Sequence, residues 1–89
     1  MKAWELLNSA ETWTKGAYAR DVYGDCVTIY SADAVRWCVI GAIAKCYNPE
    51  SQLHMKAESL LSKVVGSPTT WNDASDYQTV YNTLKELDI

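Results

Sequence analysis

The sequence predicts a small, mainly α-helical domain of the α+β kind: about four helices around a buried central helix, with one short β-hairpin between helices 1 and 2. Three observations support this prediction. Residues 31–47 are apolar nearly all round, as in a buried helix. Three other segments repeat apolar residues at three- and four-residue steps. Residues 26–30 are rich in β-branched and aromatic side chains and follow a Gly-Asp turn signal.

The central helix is predicted over residues 31–47. After Asp33 its only charged residues are Arg36 and Lys45. A run of this length exceeds the roughly 4–8 residues of a usual strand, which favours a helix. The helix is expected to end at Asn48, because a residue that precedes proline is disfavoured in the helical region.

The first helix is predicted over residues 2–14 and the hairpin over residues 17–30. Residues 17–23 and 26–30 are the expected arms. An isolated two-stranded ribbon is only marginally stable in water. We therefore expect the hairpin to pack on the helices or to pair with another copy of the protein.

A third helix is predicted to begin with Asn48 as its N-cap and Pro49 as its first residue, and to end at Gly66. Its expected buried stripe is Leu53, Ala57, Leu60, Leu61 and Val64. His54 lies off this line, so we expect a solvated surface histidine.

Residues 67–74 are predicted to be a connection, and the chain after them the last helix. Trp71 lies inside this connection, and we expect its indole to plug the core, because burying so large a ring is favourable. Ser75 and Gln78 are predicted to cap the last helix as a capping box. The expected buried stripe of that helix is Tyr77, Val80, Tyr81, Leu84 and Leu87.

Length and cysteine usage limit the class of protein. Its 89 residues predict one domain over residues 1–89, with a thin stability margin unless a disulfide, a metal or oligomerisation assists. Three cysteines without a Cys-x-x-Cys pair, and a single histidine, disfavour a metal site and indicate reduced thiols. We therefore expect a homo-oligomer without cofactor or metal, in a cytoplasm (the host cytoplasm if the protein is phage-encoded).

Charge and aromatic content favour a binding protein. The net charge is −3 and the eight Lys and Arg residues are scattered, which disfavours duplex nucleic acid as a partner. The apolar runs fall short of the about 20 residues that cross a membrane. The aromatic residues are four Trp and six Tyr, which favour half-buried binding surfaces and stacking.

The candidate ligand-binding residues are Arg20, Asp21, Arg36, Trp37, Cys38, Trp71, Asn72 and Asp73. Arg36 is nearly alone in its polarity on the predicted central helix, and a buried arginine needs a carboxylate or carbonyl partner. Two interpretations stay open. Arg36 forms a structural ion pair with Asp21, Asp33 or Asp73, or its guanidinium lies at the floor of a small-ligand pocket lined by stacking rings.

Catalytic chemistry has weaker support in the sequence. Cys38 with Asn72 and Asp73 is a candidate nucleophilic set, but a thiol inside an apolar helix has a raised pKa, so a packing cysteine is favoured. The carboxylates lack the spacing of a metal site, and the scattered glycines form no phosphate-binding loop. No catalytic residue is assigned.

Three pieces of the chain carry a resemblance. They are Trp-x-Lys-Gly-Ala-x-Ala-Arg-Asp-x-x-Gly at residues 13–24, Ala-Val-Arg-Trp-Cys-x-x-Gly-Ala at 34–42, and Trp-Asn-Asp at 71–73 before an amphipathic helix. Together they resemble a family of small bacterial and phage domains of unknown function with an Arg-Trp-Cys-x-x-Gly-Ala core helix. The resemblance covers about residues 13–87 and implies no reaction. A phage setting is associated with host interaction or anti-defence.

The functional hypothesis from the sequence is a non-enzymatic binding protein that holds a small aromatic, nucleotide-derived ligand and sequesters a bacterial immune signal. The alternative is a protein–protein inhibitor or adaptor that acts through an acidic, aromatic surface. A cysteine hydrolase is the third hypothesis.

Overall fold

The computed structural model describes residues 1–48 and 50–89, which form five α-helices, one 3₁₀ turn and a two-stranded antiparallel sheet. The predicted fold class is confirmed. The elements are α1 (Ala3–Leu6), the 3₁₀ turn (Ala10–Thr12), β1 (Ala19–Arg20), β2 (Arg36–Trp37), α2 (Val39–Cys46), α3 (Gln52–Val65), α4 (Pro68–Ala74) and α5 (Tyr77–Leu87). Within this described part, none of the helices has the length and apolar character that crossing a membrane requires.

The central helix is shorter than predicted. α2 begins at Val39, because Arg36 and Trp37 are extended and pair with β1, while Ser31 to Ala34 form a turn closed by the Ala34 amide on the Ser31 carbonyl (3.1 Å). α2 still packs against α1, α3 and α4. The apolar run therefore holds a half-buried strand followed by a largely buried helix, two elements that periodicity alone does not separate.

The partner of β1 differs from the predicted one. Arg20 pairs with Arg36, so the second strand comes from residues 36–37 and not from residues 26–30. Residues 26–27 keep a single bridge on the other side of β1, where the Val27 amide donates to the Ala19 carbonyl (3.1 Å). The tight turn between the expected arms does form, because the Asp21 carboxylate accepts the amides of Tyr23 and Asp25, each at 2.9 Å.

The first predicted helix is split into α1 and the 3₁₀ turn. The Leu7 carbonyl accepts the Tyr77 hydroxyl at 2.6 Å. Asn8 and Ser9 follow, residue types whose side chains compete with helical hydrogen bonding. α1 itself is fixed to the end of the chain, since the Ala3 amide donates to the Ile89 carbonyl at 2.7 Å.

The buried face of α3 is rotated from its predicted position. Leu53, Leu60 and Val64 are exposed, by 63%, 41% and 60%, and the core side is formed by His54, Ala57 and Leu61. His54 is therefore buried, not solvated. Its Nδ1 lies 3.3 Å from the Tyr47 carbonyl and its Nε2 lies 3.1 Å from Glu58, so both ring nitrogens have partners.

The ends of α3 match the prediction in part. The helix ends at Gly66, whose φ is 80° and whose amide donates to the Ser62 carbonyl, as expected. Its N-cap is Ser51, whose Oγ accepts the His54 amide at 3.2 Å, and not Asn48. The predicted role of Pro49 as the first helical residue falls on the residue outside the described ranges.

Residues 67–74, predicted as a connection, form the short helix α4 instead. Pro68 opens it, where a missing backbone N–H costs nothing. Trp71 lies half-buried against the core, as expected. The N-cap of α5 is Asp76, one residue after the predicted cap Ser75. Asp76 accepts the Thr79 amide at 2.8 Å, while the Ser75 hydroxyl donates to the Trp71 carbonyl.

Gly41 allows the sheet to approach α2. A Cβ at this position would overlap the backbone carbonyl oxygen of Tyr18. The same carbonyl accepts the Cys38 amide at 3.2 Å, so it is held next to the first turn of α2. Only glycine fits this approach without displacing the backbone.

Replacing Gly41 by alanine tests this constraint. At an open helical position the change would stabilise the protein by about 1 kcal/mol. Here we expect the free energy of unfolding to fall by about 2 kcal/mol, because the methyl group meets backbone. Urea denaturation measures the effect, with Ser59→Ala on the exposed face of α3 as the control. A stabilised Gly41→Ala variant would contradict the close approach.

Candidate functional site

Asn72 is the most heavily bonded buried side chain of the candidate set. Its Oδ1 accepts the Trp13 indole N–H at 2.8 Å and the Val39 amide at 3.0 Å. Its Nδ2 donates to the Thr14 carbonyl at 3.1 Å and to Asp73 Oδ1 at 3.3 Å. These bonds use the full capacity of a fully buried carboxamide. Asn72 therefore joins the segment before β1, the start of α2, and α4.

Asp73 is exposed, but its carboxylate is fixed. Oδ1 accepts the Gly16 amide at 3.1 Å as well as the Asn72 amide. Gly16 has a φ of 75°, a conformation that favours glycine and that turns its N–H toward α4. Among residues 1–48 and 50–89, the other oxygen of Asp73 accepts no hydrogen bond.

Cys38 is the N-cap of α2, whereas the sequence predicted that it lies inside the central helix. Its Sγ accepts the Gly41 amide at 3.3 Å. Burial raises the pKa of the Cys38 thiol, the bond from Gly41 opposes this, and the nearby Asp73 charge raises it further. The thiol is therefore neutral near pH 7, as a packing residue would be.

Arg20 is the arginine that the structure half-buries. Its guanidinium donates to the carbonyl oxygens of Gly24 (2.8 Å) and Lys15 (3.1 Å). Nε donates to Thr14 Oγ1 at 3.0 Å, and Nη1 lies 3.8 Å from Cys26 Sγ. Arg20 thus links the two loops that flank β1, and its partners are carbonyl oxygens, one of the two partner types that a buried arginine needs.

Arg36 does not occupy the buried position that was expected. It lies on β2, where side chains alternate between the two faces of the strand, so Arg36 is exposed while Trp37 is buried. The ion pairs of the described residues are Lys2–Asp88 and His54–Glu58, so none links Arg36 to Asp21, Asp33 or Asp73. Neither the structural ion pair nor the guanidinium floor of a pocket is formed by Arg36.

The candidate tryptophans belong to the core. The Trp37 indole N–H donates to the Ile29 carbonyl at 3.2 Å, and the Trp37 carbonyl accepts the Thr14 amide at 3.1 Å. Trp71 packs half-buried against the same core. Both indoles pack in the core beside the site, and neither lines the two clefts described next.

Two neighbouring clefts lie on either side of the Tyr18 region. The Asp73 cleft, of about 410 Å³, is lined by Gly16, Ala17, Tyr18, Ala19, Cys26, Val27, Cys38, Thr69 and Asp73. The Ile40 cleft, of about 670 Å³, is lined by Tyr18, Cys26, Val27, Thr28, Ile29, Ile40, Gly41 and Ala44. They share Tyr18, Cys26 and Val27. Asp73 is the single charged residue in either lining.

Of the predicted site residues, Cys38 and Asp73 line these clefts, and Asn72 fixes Asp73 from behind. Asp21, Arg20 and Arg36 lie outside the linings. The sequence analysis missed Tyr18, Val27 and Ile40, which contact the clefts because Gly41 lets β1 approach α2. A Gly among larger apolar residues was the signal for that approach. Within the described ranges, His, Cys, Asp and Glu form no cluster that could hold a metal ion.

Comparison with protein families gives a match over nearly the whole chain. A family model described as a family of unknown function fits residues 1–86. The chain belongs to DUF6197. No curated protein matches the chain, and no solved structure matches it. Membership of DUF6197 agrees with the resemblance to a family of unknown function. The matched region begins at residue 1 and therefore includes α1, and the description of the family names no activity.

The Arg-Trp-Cys-x-x-Gly-Ala stretch of this DUF6197 chain has a structural explanation. Trp37 fills the core, Cys38 caps α2, Gly41 admits the Tyr18 carbonyl and Ala42 is fully buried. The Trp-Asn-Asp stretch is explained in the same way: its asparagine joins three segments and its aspartate holds the Gly16 amide.

Replacing Asn72 by alanine tests the joining role of this side chain. We expect the free energy of unfolding to fall by about 3 kcal/mol or more, since each buried polar group left unpaired costs about 1–3 kcal/mol. Asn82→Ala is the matched control, because Asn82 is exposed and bonds only Gln78, so a change below about 0.5 kcal/mol is expected. Equal effects in the two variants would contradict the role assigned to Asn72.

Proposed function

We propose that this DUF6197 chain is a non-enzymatic binding protein for a small, flat aromatic ligand, of the nucleotide-derived kind. The observation that supports the proposal is the pair of clefts that share Tyr18, Cys26 and Val27. Their linings are mainly apolar with a few polar groups, which is the usual composition of small-molecule sites.

The dimensions of the clefts suit such a ligand. Volumes of about 410 and 670 Å³ fall in the range of roughly 300–1,000 Å³ that ligand pockets occupy. Tyr18 belongs to both linings and is 60% exposed, so its ring is available for stacking on a planar molecule. Ile40 and Ala44 supply an apolar floor on α2 in the larger cleft.

The chemistry of the linings favours binding over turnover. The Cys38 thiol is neutral and accepts a hydrogen bond from the Gly41 amide, so it is a poor nucleophile. A cysteine hydrolase would also need a base, and His54 is on α3, where its ring contacts Tyr47 and Glu58. These contacts make a cysteine hydrolase the weakest of the three hypotheses.

For the biological role, we propose sequestration of a bacterial immune signal by a phage-derived or bacterial protein, acting in the host cytoplasm. A protein that binds such a signal without converting it lowers the free concentration of that signal. The phage setting is taken from the resemblance of the Arg-Trp-Cys-x-x-Gly-Ala and Trp-Asn-Asp stretches to small bacterial and phage domains.

A second candidate function, a protein–protein inhibitor or adaptor, is favoured by a different observation. The loop from residue 21 to residue 35 exposes large side chains: Val22 by 69%, Tyr23 by 87% and Tyr30 by 56%. Asp25 and Asp33 are exposed in the same loop. Aromatic residues of this kind are enriched where proteins meet, so the loop matches the acidic, aromatic surface predicted for this alternative.

We also propose that the chain associates with further copies of itself. Leu53, Leu60 and Val64 form an exposed apolar stripe along α3. Covering such a stripe would stabilise the domain. The sequence predicted a homo-oligomer because a domain of this size has a thin stability margin.

Native mass spectrometry tests the ligand proposal. The protein is measured as purified and then with a panel of nucleosides, mononucleotides and cyclic nucleotides, and we expect a stoichiometric adduct with at least one member. Cys26→Phe should abolish the adduct, because Cys26 is exposed and lines both clefts, so the new ring would fill the space that they share.

Ser59→Phe places the same ring on the exposed face of α3, so this control should keep the adduct. A protein that binds no member of the panel, or a Cys26→Phe variant that binds as well as the control, would overturn the proposal in favour of a protein partner.

A further inference from the structure

We infer that the Asp73 cleft recognises the N–H-donating edge of a neutral or cationic heteroaromatic ring and rejects anionic groups such as phosphate and carboxylate. The inference rests on the proposed function and names the ligand class for the same clefts. In a ligand that carries a phosphate, the ring would enter the cleft and the phosphate would remain in solvent.

The first argument is the orientation of the Asp73 carboxylate. Its Oδ1 is held by two N–H groups, from Gly16 at 3.1 Å and from Asn72 at 3.3 Å. Asn72 is itself fixed by bonds to Trp13, Thr14 and Val39. The carboxylate is therefore oriented before a ligand arrives, and its other oxygen is open to a donor, an arrangement that strengthens a charge-assisted hydrogen bond.

The second argument is the absence of positive charge from both linings. Arg20 is close, because a Cβ on Gly16 would lie 3.5 Å from its Nη2, but its guanidinium already donates to the carbonyls of Lys15 and Gly24. The Lys15 ammonium lies over the Trp13 ring, 5.4 Å from the centroid. An anion in the cleft would meet the Asp73 charge without a compensating cation from either lining.

The third argument concerns the first turn of α2, which adjoins the cleft at Cys38. The start of a helix usually attracts anions through its free N–H groups. Here the Val39 amide donates to Asn72 Oδ1 at 3.0 Å and the Gly41 amide donates to Cys38 Sγ at 3.3 Å. Because side chains of the protein occupy two of the three free amides of this first turn (Val39, Ile40 and Gly41), this helix start is a weak phosphate site.

The experiment uses three probes that share one ring and differ in its head group: benzamidinium, benzamide and benzoate. Each is titrated into ¹⁵N-labelled protein, and the amide signals of Gly16 and Gly41 are followed; the chain has four glycines, which simplifies assignment. We expect affinity to fall from benzamidinium to benzamide to benzoate, with about tenfold or more between the first and the last.

Asp73→Asn isolates the carboxylate. The asparagine Oδ1 can still accept the Gly16 and Asn72 amides, so the fold is retained while the charge is lost. In this variant the preference for benzamidinium over benzoate should shrink by about tenfold. Asp33→Asn removes the same charge from a residue that lines neither cleft, and it should keep the wild-type preference, which controls for the net charge of −3.

The outcomes separate the inference from the proposed function. Probes that perturb Gly16 and Gly41 equally well, whatever their head group, or an unchanged preference in Asp73→Asn, would overturn the inference and leave a flat-ligand site in place. Failure of all three probes to perturb either glycine would overturn both the inference and the flat-ligand site.

Discussion

The hydrogen bonds of the Asn72 carboxamide are the interaction on which this structure most depends. A buried amide is costly unless its donors and acceptors are paired, and here the pairs come from Trp13, Thr14, Val39 and Asp73. The first two precede β1, Val39 begins α2 and Asp73 belongs to α4. One side chain thereby fixes the relative positions of three segments that are far apart in the sequence.

This arrangement also determines the geometry of the candidate site. Asn72 and Gly16 hold Asp73, Cys38 caps α2, and the Tyr18 carbonyl approaches Gly41 closely. The two clefts lie around that approach. A larger residue at position 41 would push β1 away from α2 and change both linings at once, so the packing and the shape of both clefts depend on the same few contacts.

The sequence was sufficient for the fold class and for several local features. The amphipathic spacing of α5, the end of α3 at Gly66 and the half-buried Trp71 follow from side-chain chemistry acting over a few residues. The start of the central helix did not follow, because a short strand and a helix that both contribute to the core can together appear as one continuous apolar run. Trp37 and Val39 are buried in different elements, and only the pairing with β1 separates them.

The buried face of α3 and the role of Asn72 could not be predicted for a related reason. α3 has apolar residues on two adjacent sides, and packing against the neighbouring helices buries the side that includes His54, Ala57 and Leu61. Asn72 was a candidate as part of the Trp-Asn-Asp stretch and of the set with Cys38, but its nearest hydrogen-bond partner, the Trp13 indole, is 59 positions away. Local spacing contains no information on such a contact.

Native-state hydrogen exchange at the Val39 amide tests the central role of Asn72 most directly. The first amide of a helix has no acceptor within the helix and usually exchanges quickly. Because the Val39 amide donates to a fully buried acceptor, we expect it to exchange only through global unfolding, with a protection free energy equal to that of the whole domain. The Tyr77 amide, at the start of α5, should exchange much faster. Rapid exchange at Val39 through local opening would contradict the account.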